Sequence, residues 1–253
     1  MAFRFSIVIP TLNSAALLDR TLQSIREQSF HDCQVIVVDG ASNDDTAGVV
    51  KRHLLESDCF ISEPDTGMYD ALQKGFRRAT GEIQCWLNAG DVYFPYTLEA
   101  VDRVFRTNPS IQWLTGVGAK IDPDGVLYQI KHPTAFFQSL IRKGYYRDDY
   151  IGCISQEATF WRSEIFSPEM IRNDLRLAGD YDLWIKLSRV AKLYTVKTVL
   201  AGFLVHEGQL SSNGEAYLAE CNLVSSRLRS RLFARIAKLI GILNNSRLIS
   251  ASR

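Results

Sequence analysis

The first hundred residues alternate between short runs of apolar, β-branched residues and longer segments in which apolar residues recur every three or four positions. This alternation predicts strands for the short runs and amphipathic helices for the longer segments. The predicted strands are 5–9, 33–38, 59–61 and 83–87, and the helices between them are 15–28, 44–55 and 68–80. A strand–helix repeat of this kind predicts an α/β fold with an open, mostly parallel central sheet flanked by helices.

The pattern is less regular beyond residue 96, where strands and helices no longer alternate. Helices are predicted at 96–106 and 181–190, and strands at 112–119, 126–130, 158–161 and 193–199. The segment 134–156 shows no clear period. We therefore expect one domain over residues 1–212, followed by a C-terminal helical extension over 213–253.

A single long helix, 215–243, is predicted for the extension, and it is basic and amphipathic. Its apolar stripe is Leu228, Leu232, Ile236, Leu239 and Leu243, and its basic stripe is Arg227, Arg231, Arg235 and Lys238. The stripes lie about 100° apart, as in a helix that lies in a membrane interface. Packing of the apolar stripe on the protein's own sheet, or on a second copy in a homodimer, remains the alternative.

The composition is that of an ordinary soluble globular protein, with 46% hydrophobic and 23% charged residues. Its 29 basic and 28 acidic residues nearly balance, which argues against nucleic acid as a partner. Five cysteines without a C-x-x-C pair are typical of a reducing compartment. No segment predicts a signal peptide or a membrane span. We expect a cytoplasmic protein, with the extension as the segment suited to the inner face of the cell membrane.

Polar or acidic residues follow each of the four predicted N-terminal strands. They lie in segments 10–13, 39–42, 63–65 and 88–91. Helix capping by Asn13 or Ser14, and by Ser42 or Asn43, would explain them individually. The carboxyl ends of parallel strands meet at one edge of the sheet, however, and that edge is where ligands bind.

Neither of the usual glycine-rich phosphate loops is present in the chain. A diphosphate would then need a divalent metal held by carboxylate oxygens, and Asp91 is suitably placed for that role.

Six segments, taken in order, resemble the motifs of glycosyltransferase family 2. They are SIVIPTLN (6–13), VVDGASNDDT (37–46), SEPDTGMYDA (62–71), WLNAGD (86–91), QEATF (156–160) and AGDYDLW (178–184). The resemblance implies the GT-A fold and an inverting, metal-dependent enzyme that uses a nucleotide-diphosphate sugar, with Mn²⁺ or Mg²⁺ as cofactor.

The resemblance also implies which residues bind the donor. It places Pro10, Thr11, Asn13 and Asp39 around the base and the ribose, with Asp65 as a further acid that contacts the nucleotide.

The metal site implied by the resemblance departs from the family pattern. Asp91 resembles the last acid of a D-x-D-type motif, but Asn88 and Gly90 stand where other members carry acids. Asn88 is assigned to the donor side. His206 resembles a late metal-ligating histidine of some relatives, with a hydrogen-bonded histidine at a strand end as the alternative.

The later motifs carry the acceptor side and the catalytic base. Asp180 corresponds to the general base, with a helix cap as the alternative interpretation and Asp182 as the rival base. Gln156 and Trp184 are assigned to the acceptor side, although the helical spacing of Trp184 is equally typical of a core residue.

These assignments predict an inverting glycosyltransferase acting on a saccharide or lipid-linked acceptor in polysaccharide biosynthesis. A nucleotidyltransferase is one alternative, but the loop 11–16 lacks the glycines and basic residues expected of that class. A catalytically silent subunit that binds a nucleotide sugar is another, and the missing acids at Asn88 and Gly90 favour it.

Overall fold

A single mixed sheet runs through the computed structural model, which describes residues 3–206, 208–209, 213–225 and 248–249. Its strands are β1 (Phe5–Thr11), β2 (Cys33–Asp39), β3 (Cys59–Ser62), β4 (Ile83–Trp86), β5 (Val92–Tyr93), β6 (Trp113–Ile121), β7 (Leu127–Ile130), β8 (Thr159–Arg162), β9 (Leu193–Leu204) and β10 (Leu248–Ile249). The α-helices are α1 (Ala15–Arg26), α2 (Thr46–His53), α3 (Met68–Phe76), α4 (Thr97–Thr107), α5 (Gln138–Arg142), α6 (Gly179–Leu187) and α7 (Gly214–Val224).

The sheet has two parallel parts joined by one reversed strand. Its order is β10-β9-β6-β8-β4-β1-β2-β3, with β5 paired to β9 and β7 paired to β6. Strands β4, β1, β2 and β3 are mutually parallel, as are β6 and β9, whereas β8 is antiparallel to both β4 and β6. The predicted mostly parallel sheet is thus confirmed, and the carboxyl ends of its first four strands share one edge.

The hydrophobic core has one layer on each face of the sheet. One layer joins the sheet to α1 and α4 and includes Ile7, Leu22, Val35, Cys85 and Phe105. The other joins it to α3 and α6 and includes Val8, Ile36, Leu72, Trp86 and Leu183. Alternate residues of β1 and β2 therefore enter opposite layers, which explains why their sequences are apolar without interruption.

Four tryptophans form an aromatic cluster within the second layer. Trp184 stacks on Trp86 with ring centroids 5.6 Å apart, and Trp113 and Trp161 lie 5.6 and 6.1 Å from Trp184. The Trp184 side chain is 3% exposed. Its assignment to the acceptor side is therefore wrong, because neighbouring aromatic rings cover the surface that a sugar would need.

Most predicted elements are present, with three differences that concern the site. Helix α6 begins at Gly179, two residues before the predicted start. Strand β9 continues to Leu204 instead of ending at 199, because it follows β6 through an irregular register as far as Ile121. Strand β5 was not predicted at all.

Two pieces of the predicted C-terminal extension are described: helix α7, and strand β10, which pairs with β9 at the edge of the sheet. Asn213 begins helix α7 by accepting a hydrogen bond from Ala216 N at 3.2 Å. Cys221 is buried against Tyr181 and Ile185 of helix α6, so this part of the extension packs on the main fold. Both predicted stripes, at 227–243, lie outside the described residues. No helix among the described residues is long and apolar enough to cross a membrane.

Candidate active site

The loops that follow β1 and β2 lock together at the edge of the sheet. Asn13 N donates to Ser42 Oγ at 2.7 Å, and Asn13 Oδ1 accepts from Asn43 N at 3.0 Å. Asn13 and Ala41 have left-handed backbone conformations, with φ of 48° and 63°. Alanine adopts this region at a cost of about 1–3 kcal/mol, the kind of strain that functional loops carry.

Asp44 fixes the helices on both sides of these loops. Its carboxylate accepts from Ala15 N at 2.8 Å in α1 and from Thr46 N at 3.1 Å in α2. Neither Ser14 nor Asp45, the residues that precede these helices, makes a side-chain cap. The capping expected of Asn13, Ser14, Ser42 or Asn43 is thus performed by one carboxylate, which reaches both helix starts because the loops are interlocked.

Asp39 is buried at the end of β2 and its carboxylate is fully oriented by neighbours. It accepts from Ser42 N at 3.1 Å, from Ser42 Oγ and from Ser62 Oγ at 2.7 Å. Beside it in the register is Thr11, whose buried Oγ1 has no hydrogen-bond partner among the described residues. Pro10 is buried in β1, next to Thr11.

Asp65 approaches the same loops from the end of β3. Its Oδ1 accepts from Gly67 N at 2.8 Å, and its Oδ2 would lie 2.8 Å from a Cβ atom at Gly40. Only glycine at position 40 lets the carboxylate come this close. The structure thus brings five of the expected donor residues, Pro10, Thr11, Asn13, Asp39 and Asp65, to one edge of the sheet.

Asp91 is buried in the turn after β4, and backbone and side-chain bonds hold that turn. Its Oδ1 accepts from Leu204 N at 2.9 Å, and its carbonyl accepts from Thr21 Oγ1 at 2.8 Å. Thr21 Oγ1 also accepts from Gly90 N at 2.8 Å. Burial, together with the nearby charge of Glu157, holds the pKa of Asp91 well above its usual range.

Asn88 and Gln156 connect that turn to the segment expected on the acceptor side. Asn88 Nδ2 donates to Gln156 Oε1 at 3.1 Å, and Gln156 Nε2 donates to the Trp86 carbonyl at 2.7 Å. Asn88 Oδ1 is buried, and within the part of the chain that the structure describes it has no hydrogen-bond partner. An amide oxygen in this state is a ready ligand for a cation.

A divalent cation fits this site only if substrate oxygens and water supply the ligands that the protein does not. No group of three His, Cys, Asp or Glu side chains in the described ranges could hold a metal ion. The Asp91 carboxylate and the unpartnered Asn88 oxygen are two hard oxygen ligands, and Mg²⁺ commonly takes one or two carboxylates with the rest from phosphates and water. His206 follows two residues after Leu204, whose N–H bonds Asp91, so it lies in the chain segment next to that carboxylate.

Asp180 lies in the first turn of α6, partly exposed, and does not cap the helix. One of its carboxylate oxygens is buried and has no hydrogen-bond partner among the described residues. Burial raises the pKa of Asp180 to about 7, and the carboxylates of Asp148 and Glu157 add to the rise. Such a group is a base that takes up a proton near neutral pH.

Asp182, the rival base, is engaged elsewhere. It is buried and forms an ion pair with Lys186 Nζ at 2.6 Å, one helical turn away. This pairing favours Asp180 as the base.

Glu157 and Asp148 are site residues that the sequence did not identify. The charge of Glu157 acts on both Asp91 and Asp180, and burial raises its own pKa despite the opposing effect of Lys131. In the sequence, the position of Glu157 directly after Gln156 could have indicated that it belongs to the site. Asp148 lies in the irregular segment 134–156, where the sequence shows no pattern that could have indicated its role.

A mixed sheet with acidic residues at the ends of its parallel strands agrees with the GT-A type of fold, which the matching solved structures show. The chain belongs to glycosyl transferase family 2, whose family model matches residues 6–164, more than half of its length.

Relatives of known sequence agree with this membership. The chain is 25% identical over 233 residues to an uncharacterized glycosyltransferase of Rickettsia bellii (strain RML369-C), covering 90% of this chain and 33% of that protein. It is 41% identical over 90 residues to a PGL/p-HBAD biosynthesis glycosyltransferase of Mycobacterium bovis (strain BCG / Pasteur 1173P2), covering 34% of this chain and 35% of that protein. The chain thus spans about a third of the length of these two relatives.

Solved structures confirm the fold. Residues 1–349 of S. aureus TarS in complex with UDP-GlcNAc match with a TM-score of 0.65 and 17% identity, over 95% of this chain and 72% of that one. The mannosyltransferase PcManGT from Pyrobaculum calidifontis, in complex with GDP-Man and Mn²⁺, matches with a TM-score of 0.61 and 18% identity, over 97% of this chain and 76% of that one.

Proposed function

We propose that this protein transfers a sugar from a nucleotide-diphosphate sugar to an acceptor hydroxyl, with inversion at the anomeric carbon. The observation that carries the proposal is Asp180, a carboxyl group with a raised pKa, an unpartnered buried oxygen and a fixed position in the first turn of a helix. Membership of glycosyl transferase family 2 supports the class of reaction.

The reaction proceeds as a single displacement. Asp180 removes the proton from the acceptor hydroxyl as its oxygen attacks the anomeric carbon. The bond from that carbon to the diphosphate breaks, and the diphosphate leaves with the electron pair. Attack from the face opposite the leaving group inverts the anomer, and no nucleophile from the protein is needed.

The donor lies against the interlocked loops after β1, β2 and β3. Asp39 accepts hydrogen bonds from the base, while Thr11, Asn13 and Asp65 line the rest of the nucleotide site. Asp91 and Asn88, with His206 as a further ligand, would hold Mn²⁺ or Mg²⁺, and the metal would supply positive charge to neutralise the diphosphate. The complex of PcManGT with GDP-Man and Mn²⁺ supports this choice of cofactor.

The acceptor is a saccharide or a lipid-linked glycan, bound on the side of Gln156. What supports this is the hydrogen bond from Asn88 to Gln156, which places that segment beside the donor turn.

The test uses a panel of UDP- and GDP-linked sugars with Mn²⁺. The correct donor should raise the melting temperature, since a ligand at about 100 times its Kd stabilises a protein by about 2.7 kcal/mol. Proton NMR of the sugar released to water or acceptor should show the inverted anomer first. Retention of the donor's anomeric configuration would contradict the mechanism, and binding without turnover of any donor would favour the catalytically silent subunit.

We further propose that the basic extension holds the enzyme on the inner face of an anionic membrane. Seven basic and no acidic residues follow Val224, and each contributes about 1 kcal/mol near such a surface. The full chain should therefore sediment with phosphatidylserine vesicles at low salt, and a chain ending at Val224 should not. Equal sedimentation of the two would exclude the membrane role and leave packing on the protein's own fold or a homodimer.

A further inference from the structure

Helix α7 provides the hydrogen-bond acceptors for the start of helix α6. The Glu220 carboxylate accepts from Arg176 N at 3.0 Å, from Leu177 N at 2.8 Å and from Ala178 N at 2.9 Å. Ala178, at the cap position of α6, makes no side-chain cap of its own. A carboxylate from another helix thus satisfies backbone donors and complements the positive end of the α6 dipole.

Tyr69 of α3 holds the same segment from the other side. Its hydroxyl donates to the Leu177 carbonyl at 2.9 Å and accepts from Asp180 N at 3.3 Å. Its ring packs so closely on Gly179 that a Cβ there would lie 2.5 Å from a ring carbon. The backbone from 176 to 180 is therefore bonded to Glu220 and to Tyr69.

The Asp180 carboxyl projects from this segment among several ionisable groups. Burial, with the added effect of the Asp180 charge, raises the pKa values of Tyr69, Cys153, Tyr217 and Cys221. Asp148 and Glu157 in turn add to the raised pKa of Asp180. Tyr217 and Cys221 lie on the same helix as Glu220. Helix α7 thus packs beside the segment that carries Asp180.

We propose that Glu220 is a positioning residue, which fixes the backbone at 176–178 so that the Asp180 carboxyl is held where it can remove the acceptor's proton. This inference rests on the proposed function of Asp180. Glu220 acts through the backbone and touches neither substrate.

Glu220→Ala removes all of these acceptors, and Glu215→Ala is the matched control. Glu215 lies on the same helix and is exposed. We expect kcat to fall about 10–100-fold in Glu220→Ala, the loss typical of a catalytic group displaced by about 1 Å. The KM for the donor should stay unchanged, because the donor loops lie at the ends of β1, β2 and β3.

The pH profile separates positioning from a general loss of structure. In the wild type the acidic limb of kcat/KM should fall near pH 7, the value to which burial raises the pKa of Asp180. Loss of the Glu220 hydrogen bonds should loosen the backbone at 176–178 and let water reach Asp180, which lowers the pKa of its carboxyl. The acidic limb of kcat/KM should therefore move to lower pH in Glu220→Ala. A smaller folded fraction would lower activity equally at every pH and leave the limb in place.

Glu220→Gln keeps one oxygen for Leu177 N and Ala178 N, so it should restore most of the activity. Because this variant retains the helix contact, it keeps the test informative if Glu220→Ala folds poorly. Activity of Glu220→Ala equal to the Glu215→Ala control, or an unmoved acidic limb, would overturn the proposal.

Amide hydrogen exchange provides a readout that does not need turnover. Protection of Leu177, Ala178 and Asp180 should fall in Glu220→Ala and persist in Glu215→Ala. If the wild type turns over no donor, the proposed function fails, while exchange still tests whether Glu220 orders the segment. Unchanged protection in Glu220→Ala would exclude the positioning role.

Discussion

Asp180→Asn is expected to lower sugar transfer by about 10²–10⁴-fold while donor affinity stays the same, since this is the range for loss of a general base. The amide has the shape of the carboxyl but cannot accept the acceptor's proton. The measurements are initial rates with the donor found in the panel, and donor affinity by calorimetry. Asp182→Asn is the control, because Asp182 pairs with Lys186, and it should retain most of the activity.

The same variant should be more stable than the wild type above neutral pH. The pKa of Asp180 is raised from 3.8 to about 7 in the folded protein. Between these values the folded state keeps a proton that the unfolded chain has released, so this group makes the protein less stable as the pH rises through the window. Asp180→Asn should therefore melt higher at about pH 8 and equally at about pH 4. Near-normal activity of Asp180→Asn together with a loss of about 10²–10⁴-fold in Asp182→Asn would assign the base to Asp182.

Asp91→Asn is expected to weaken metal-dependent donor binding by about 10²-fold or more, because loss of a direct ligand should cost at least as much as loss of a partner that only orients a ligand. The amide oxygen can still accept from Leu204 N, so the turn after β4 should keep its conformation. The loss of donor affinity should then come from the missing negative charge of the Asp91 carboxylate. Titration of donor with and without Mn²⁺ measures it.

Asp124→Asn is the control for Asp91→Asn, since Asp124 is exposed in the turn between β6 and β7 and its removal changes the net charge equally. Unchanged affinity and unchanged Mn²⁺ dependence in Asp91→Asn would place the cation on other ligands. A loss seen equally without metal would mean that Asp91 acts on the donor directly.

The sequence predicted the parallel half of the sheet and the edge where the donor residues meet. It could do so because the spacing of apolar residues predicts the local helices and strands. The carboxyl ends of parallel strands then meet at one edge of the sheet, whatever path the connecting loops take. The loops that carry Asp39 and Asp65 therefore follow neighbouring parallel strands, as the strand pattern predicts, while their role in donor binding stays a prediction.

The sequence could not predict the contacts that complete the site, because these join residues far apart in the chain. Segment 42–45 offers four residues able to cap a helix, and spacing cannot show that Asp44 is the one that caps both helices. Glu220 lies 42 to 44 residues beyond the backbone that it holds. Trp184 had a helical spacing compatible with either role, and only the packing of three other tryptophans decided it.

The reversed strand β8 has a consequence for synthesis of the chain. Strands β1 to β4 are complete by Trp86, but the free edge of β4 gains its partner only when Trp161 and Arg162 have been made. At about 5–20 residues per second, the ribosome needs roughly 4–15 s to cover that distance. During this interval the nascent chain exposes the unpaired edge of β4, whose side chains are buried in the folded protein. Such an edge is a template for aggregation. The half of the sheet that carries the proposed donor site is therefore the half that a chaperone would have to protect.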